Sequence, residues 1–324
     1  MKSISVVIPN YNGKDLLKRN LPHVYRALDT SGITDYEIIV ADDYSKDGSV
    51  EFLLKEFPGV LVIAHPGNFG FAVNTNSGIF ASSKDLVLVL NSDVELTEGF
   101  FIPLLHYFDR PNTFGVMSRI IALDSDHVQD GAKYPDYSYA RIGSTTNYRS
   151  SEKSSLYTMF LSGANALIDR QKLLELGGFD EMFSPYYAED VDLGLRAWKV
   201  GYRCYYDDTA YCRHSLSETI QKEKPAKVRT ISKRNKMYLH YVHLDGSEQK
   251  VYLALLAIKA ALRAMLSQTV YVQAYQEFKK MIDEADRARD HIREIQEHHQ
   301  FAMSMKDIRA TILASIGDAP ITKF

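Results

Sequence analysis

The sequence predicts an α/β protein in which an open, mostly parallel sheet is flanked by helices and followed by a helical C-terminal appendage. Three observations carry this. Short runs of Val, Ile and Leu alternate with helix-like segments over the first half of the chain, turn-forming residues separate them, and strand signals cease beyond the 222–236 stretch.

Ile4 to Ile8 is the first apolar run, closed by PNYN (9–12), and a helical pattern begins near Lys14. Glu37 to Ala41 repeats the arrangement, with DDYS (42–45) after it and a helix near Asp47. Val60 to Ala64 leads through HPGN (65–68) to a helix near Phe71, and Leu86 to Leu90 leads through NSD (91–93) to a helix near Thr97. Such uninterrupted apolar strands are those of a parallel sheet buried on both faces. Ligands of these sheets bind outside the carboxyl ends of the strands, so the four polar turns share the functional edge.

Periodicity fades from Asp124 to Ser155, a segment rich in Tyr, Ser, Asp and Arg. It reads either as a plain surface loop or as a substrate-contacting one, because aromatics such as Tyr134, Tyr137 and Tyr139 beside polar groups suit stacking on sugar rings. LSGANALIDRQKLLELGGFDE then reads as a strand and a helix ended by Gly177 and Gly178. AEDVDLGLRAWKVG begins a further helix that stops at Gly201, with Asp192 and Arg196 spaced as a surface ion pair. His214 follows the last predicted strand. Residues 222–236 hold seven Lys or Arg against one Glu, and a boundary is expected near 216–245.

Composition narrows the function. The chain has 324 residues, 45% hydrophobic and 24% charged, with formal net charge −3. That balance is ordinary for a soluble protein and gives no support to nucleic-acid binding. Cys204 and Cys212 are the two cysteines, which argues for a reducing, cytoplasmic compartment; together with His214 they lack CxxC spacing for zinc. No signal-peptide core opens the chain, and the best apolar stretch, Val251 to Val272, is interrupted by Lys259 and Arg263, short of the roughly 18 residues a membrane span needs. GxGxxG, GxxxxGK[ST] and GxSxG are all missing, which removes support for dinucleotide, P-loop and hydrolase sites.

The motifs VVIPNYNG, IIVADDYSKDGS, NFGFAVNTNSG, LVLVLNSDVEL, GGFDE, AEDVDLGLRAWKVGY and the Tyr211–His214 segment occur in order over about residues 3–240. This set resembles the inverting family 2 glycosyltransferases of GT-A fold, and NFGFAVNTNSG resembles their rhamnosyltransferase-like branch. The resemblance implies a GT-A catalytic domain over 1–240, with a donor half over about 1–123 and an acceptor half over about 124–240, before a helical region over 241–324. It implies transfer from a UDP, dTDP or GDP sugar to a glycan or lipid-linked glycan in bacterial-type polysaccharide assembly, helped by Mg²⁺ or Mn²⁺.

Residue by residue, the resemblance assigns donor binding to Pro9, Tyr11, Asn12, Asp42, Asp43, Asn68, Gly70, Asn76, Asn91, Ser92 and Asp93. Taken singly, each of these also reads as a turn or cap residue. Asp93 matches the last acid of the family's DxD metal motif, while Asn91 stands where the first acid is expected; His214 matches a histidine that completes the metal or diphosphate site. Asp190 matches the general base, although a helix start also favours acids by itself. Tyr134, Tyr137, Tyr139, Glu189 and Trp198 are expected to contact the acceptor. Two rivals remain: a nucleotidyltransferase, for which IPNYNGKD offers a poor triphosphate loop, and a non-catalytic glycan-binding or assembly subunit, which Asn91 favours.

In the C-terminal region, Leu255, Ile258, Leu262 and Leu266 recur at helical spacing. Phe278, Ala285 and Ile292, and Met281, Ala288 and Ile295, form a short heptad pattern. The expectation is a homodimer through these helices. The alternatives are helices folded back on the chain, or peripheral association with the inner face of a membrane, aided by the basic 222–236 stretch.

Overall fold

The computed structural model describes residues 2–215 and 225–324; the start of the basic stretch, 222–224, lies outside the described residues. Strands β1 (Ile4–Asn10), β2 (Tyr36–Asp42), β3 (Leu61–Ala64) and β4 (Leu86–Leu90) pair in parallel in the order β4-β1-β2-β3. They are connected by α1 (Lys14–Thr30), α2 (Ser49–Glu56) and α3 (Phe71–Ala81). Strand β5 (Val94–Leu96) and the short α4 (Ile102–Leu105) follow, so the helix expected near Thr97 begins later and is only four residues long.

Beyond β4 the sheet becomes mixed. Strand Asn165–Asp169 inserts antiparallel between β4 and β6 (Thr113–Ala122), and the long strand Arg203–His214 runs parallel to β6. This insertion has a positional consequence. An antiparallel strand brings its amino end to the edge where parallel strands end, so residues 162–164 join the turns after β1, β2 and β4.

Both faces of the sheet are covered. On one, Leu17, Leu21, Val24 and Leu28 of α1 pack with Ile4, Val6 and Ile8 of β1. Full burial of each such side chain contributes about 1.5–3 kcal/mol. On the other, α3 lies close to β1: a Cβ on Gly78 would stand 2.5 Å from Val7 Cγ1, so glycine is what permits the approach.

The segment expected as a loop between 124 and 155 is instead built of short strands, among them Val128–Asp130 and Asn147–Ser150. Helices α5 (Arg170–Glu175) and α6 (Glu189–Lys199) precede the C-terminal α7 (Pro225–His243), α8 (Gly246–Met265), α9 (Thr269–Lys279), α10 (Ile282–His299) and α11 (Met305–Ile316). A final strand, Ile321–Lys323, pairs with Asn147–Ser150, contrary to the expectation of helix alone after residue 236.

The heptad positions do not await a partner chain. Phe278, Met281, Ala285, Ile292 and Ile295 are buried in the same apolar cluster as Trp198 of α6 and Tyr238 of α7. The dimer face expected there is covered by the chain itself. Asp192 and Arg196 likewise form a buried pair, not a surface one: Nε donates to Oδ2 at 2.7 Å, and His243 Nε2 lies 2.8 Å from the other carboxylate oxygen. Among the described residues, no helix is long and apolar enough to cross a membrane.

Candidate active site

A cleft of about 440 Å³ opens at the carboxyl edge of the sheet. Its floor is Pro9, Asn10 and Tyr11 after β1, Asp43 after β2, and Asn91, Ser92 and Asp93 after β4; residues 162–164 close it on the antiparallel side. Asn68, Gly70, Phe71 and Asn74 form a wall at the start of α3, and Pro185, Tyr186, Tyr187, Glu189 and Asp190 stand across from it with Lys227.

The floor is held by strand-end hydrogen bonds. Asp43 is buried, and its two oxygens accept from the backbone N–H groups of Phe69 (2.7 Å) and Gly70 (2.9 Å). Burial raises its pKa, and these two hydrogen bonds only partly oppose the rise. Gly70 adopts φ +89°, and a Cβ there would sit 2.4 Å from Pro185 Cα, so the two walls meet through a residue that must be glycine.

At the Asp93 end of the cleft, His214 Nε2 lies 3.3 Å from Asp93 Oδ2. Gln129 Oε1 lies 2.8 Å from His214 Nδ1. With Nδ1–H donating to Gln129, Nε2 turns its lone pair on the carboxylate. Two acceptors so placed repel unless a proton or cation lies between them. The other oxygen, Asp93 Oδ1, is buried without a hydrogen-bond partner. An imidazole oriented by an amide beside an under-satisfied carboxylate is a fitting donor set for a hard divalent cation. Gln129, on the strand Val128–Asp130, was not foreseen because a glutamine in an aperiodic segment carries no sequence signal of its own.

Opposite, Tyr187 (φ 80°) and Ala188 (φ 77°) both adopt the left-handed region immediately before α6. Non-glycine residues there store strain, which the surroundings must impose. Asn235 of α7 does so in part, its Nδ2 lying 2.6–2.9 Å from the carbonyls of Phe183, Tyr186 and Tyr187. The strained turn delivers Glu189 and Asp190 to the cleft. Burial pushes Asp190 up to about 6, opposed by Lys133 and by the Val191 N–H that donates to it at 2.8 Å. Burial, and then the Asp190 charge, pushes Glu189 up to about 8, and its Oε2 is buried without a partner. Burial thus raises both carboxyls of this adjacent pair, and each resists sharing the site with a second negative charge.

Several expected site residues are placed elsewhere. Asp42 does not line the cleft, because its carboxylate accepts from Asn10 Nδ2 (2.8 Å) and the Ser45 N–H (2.9 Å) beneath the floor. Asn12 ties the β1 turn to the β2 turn by accepting from the Lys46 N–H at 2.7 Å. Asn76 is buried between α3 and the GGFDE turn, donating to the Phe179 carbonyl at 2.8 Å and accepting from its N–H at 2.9 Å. Asn74 faces the cleft instead, with its side-chain oxygen buried and unpartnered.

Among the residues expected to contact the acceptor, Glu189 alone lines the cleft. Trp198 is fully buried and donates to the Thr158 carbonyl at 3.0 Å. Tyr134 packs against Tyr148 under Lys323, while the hydroxyls of Tyr137 and Tyr139 reach Glu248 and Ser247 at the start of α8.

Residues 5–177 match the family model described as glycosyl transferase family 2. The chain belongs to this family. It is a glycosyltransferase, and its mostly parallel sheet with flanking helices is the GT-A fold. It is 26% identical to an N-acetylglucosaminyl-diphospho-decaprenol L-rhamnosyltransferase of Mycobacterium tuberculosis, over 62% of this chain and 75% of that one. It is 27% identical to the O-antigen chain rhamnosyltransferase RfbN of Salmonella typhimurium, over 68% of each. Among solved structures, GalNAc-T7 with UDP, GalNAc and Mn²⁺ superposes with a TM-score of 0.68 at 16% identity, covering 98% of this chain and 57% of that one.

Proposed function

We propose that this glycosyltransferase moves a sugar, with inversion, from a nucleotide diphosphate donor to a glycan or lipid-linked glycan in surface polysaccharide assembly. One observation carries the reading. One cleft at the strand ends is lined both by Asp93, which lies beside His214, and by Asp190. The rhamnosyltransferase relatives, one named for a diphospho-decaprenol acceptor, support the substrate class.

In this reading Tyr11 packs on the nucleotide base, and Asp43 with the Asn68–Gly70 turn contacts the nucleoside. Asn91, Ser92 and Asp93 face the diphosphate. Asp93 and His214 would hold a divalent cation, Mg²⁺ or Mn²⁺, which offsets charge on the departing diphosphate when bound. Asp190 removes the proton of the acceptor hydroxyl as that oxygen attacks the anomeric carbon from the face opposite the leaving group. Displacement is direct, needs no enzyme nucleophile and inverts the configuration. Glu189, in its acid form near neutrality, can donate a hydrogen bond to an acceptor oxygen.

A screen of UDP, dTDP and GDP sugars, reading nucleoside diphosphate release in the presence of acceptor, tests the proposal. Release is expected for one base and to stop with excess EDTA, returning on addition of Mg²⁺ or Mn²⁺. Undiminished release in EDTA would remove the metal from Asp93 and His214; no release with any donor would favour the non-catalytic reading.

The pH profile is a second test. Asp190 must be ionised to accept a proton, and its pKa is raised, so activity is present above about 6 and falls as pH drops through that value. Because Glu189 and Asp190 titrate together, the limb seen in kcat/KM belongs to the pair. A profile flat down to about pH 4.5, near the ordinary carboxylate range, would contradict a buried carboxylate base.

A further inference from the structure

Helix α8 has two unlike faces. Leu256 and Ala260 are buried against the rest of the chain, whereas Leu255, Ile258, Leu262, Met265 and Leu266 are 58%, 57%, 56%, 81% and 66% exposed. With Val251, at 39%, they follow one another four, three, four and three residues apart up to Met265, so they form one continuous stripe. No charged residue interrupts it. Isolated exposed leucines are ordinary, but an aligned apolar stripe of this length marks a surface that something else covers.

What covers it is indicated by the charges beside it. Lys259 follows Ile258 on α8, and it acts on Lys236 of α7 together with Lys233 and Arg141. Burial first, and then these three cations, hold the Lys236 ammonium below its usual range; Asp136 is the carboxylate that opposes them. Lys259 and Arg263, four residues apart on α8, thus border one side of the apolar stripe, and Lys236 of α7 lies within electrostatic reach of Lys259. Helix α7 also carries Lys227 at the cleft and Asn235, which holds the Tyr187 turn. Lys233 and Lys236 therefore share a helix with residues of the active-site wall.

We propose that α8 and the basic flank of α7 form a docking face for an anionic lipid bilayer, with the apolar stripe entering the interface and the cations meeting lipid phosphates. An apolar helical face with Lys and Arg at its margin is the chemistry of an interfacial helix, and each cation near an anionic surface adds to the attraction. A second copy of the chain fits less well. A two-fold contact would bury the stripe, but nothing in it calls for the cations at the stripe's margin. The inference deepens the proposed function, since a lipid-linked acceptor presents its sugar at the bilayer surface, but bilayer binding itself does not depend on transfer.

The test is flotation of the full chain with vesicles of phosphatidylcholine alone or mixed with phosphatidylglycerol. Binding is expected with the anionic vesicles only and is expected to weaken at high salt. Leu255→Glu with Leu262→Glu, and separately Lys233→Glu with Lys259→Glu, should each reduce binding at least about 10-fold. Both pairs are exposed, so unchanged circular dichroism and an unchanged Tm are expected, as is unchanged nucleoside diphosphate release with a water-soluble acceptor. Wild-type protein that does not float overturns the proposal. If it is also a dimer by light scattering that Leu262→Glu dissociates, the stripe belongs to a second copy. Floating protein that releases no nucleotide would leave the docking face standing and remove the transfer reading instead.

Discussion

Asp190→Asn is expected to lower kcat by about 10²- to 10⁴-fold, the scale of a lost general base, while leaving donor affinity close to that of the native enzyme. The amide keeps the shape of the carboxyl group and can still accept from the Val191 N–H, 2.8 Å from Oδ1 in the native chain. What it cannot do is take a proton at neutral pH. Glu189→Gln supplies the contrast. Glu189 is pushed up to about 8, so its acid form dominates near neutrality and the substitution leaves its charge unaltered. A much smaller loss is expected there. Turnover measured beside donor affinity by calorimetry separates the two residues. Near-native kcat in a folded Asp190→Asn enzyme would reduce Asp190 to a helix-start acid, and an equal loss in both variants would assign the base to the pair.

Asp192→Ala is expected to destabilise the fold by about 3–5 kcal/mol, the usual result of removing one partner from a buried ion pair. Asp192 is 1% exposed and accepts from Arg196 Nε and His243 Nε2. Arg196 also donates to the carbonyls of Leu176 (2.6 Å) and Gly178 (2.9 Å), so it cannot swing to solvent without releasing the GGFDE turn. Burial holds the His243 pKa below its ordinary value, and its Nδ1 has no partner; His243 is therefore neutral and cannot replace the lost anion.

Burial alone would raise the Asp192 pKa, but Arg196 and His243 outweigh it and hold it below the ordinary range. The resulting stabilisation is fully present above the unfolded-state pKa and is lost as pH falls through the lower folded value. Denaturant midpoints of native and Asp192→Ala protein at neutral pH check the effect. A shift no larger than that from Glu284→Ala, whose partner Arg287 is well exposed, would show that the pair is not the anchor described.

The local sequence alone determined the sheet and its functional edge. Strands β1 to β4 are runs of β-branched and aliphatic residues too short and too uniformly apolar for surface helices, and each ends in residues that favour turns. Parallel pairing then gathers those ends, which is why Tyr11, Asp43 and the NSD turn share a cleft. The ordered motifs were sufficient to indicate the family as well. Their signal lies in sequence order and spacing, which folding does not change.

Only the tertiary structure decided which way individual side chains point and what covers each apolar face. Asn74 and Asn76 are two residues apart on one helix, hence about 200° apart around its axis, so one faces the cleft and the other the GGFDE turn. Trp198 reads in sequence as an aromatic near acidic residues, yet the phase of α6 sends it into the core. Residues 162–164 reach the cleft because their strand runs antiparallel, a choice of direction that no local pattern records. The α8 stripe and the heptad pattern that spans the end of α9 and α10 are both apolar helical patterns, but one is exposed and the other buried. Periodicity states that a helix has a face to cover; what lies against that face is a long-range contact, and it exists only once the chain has folded.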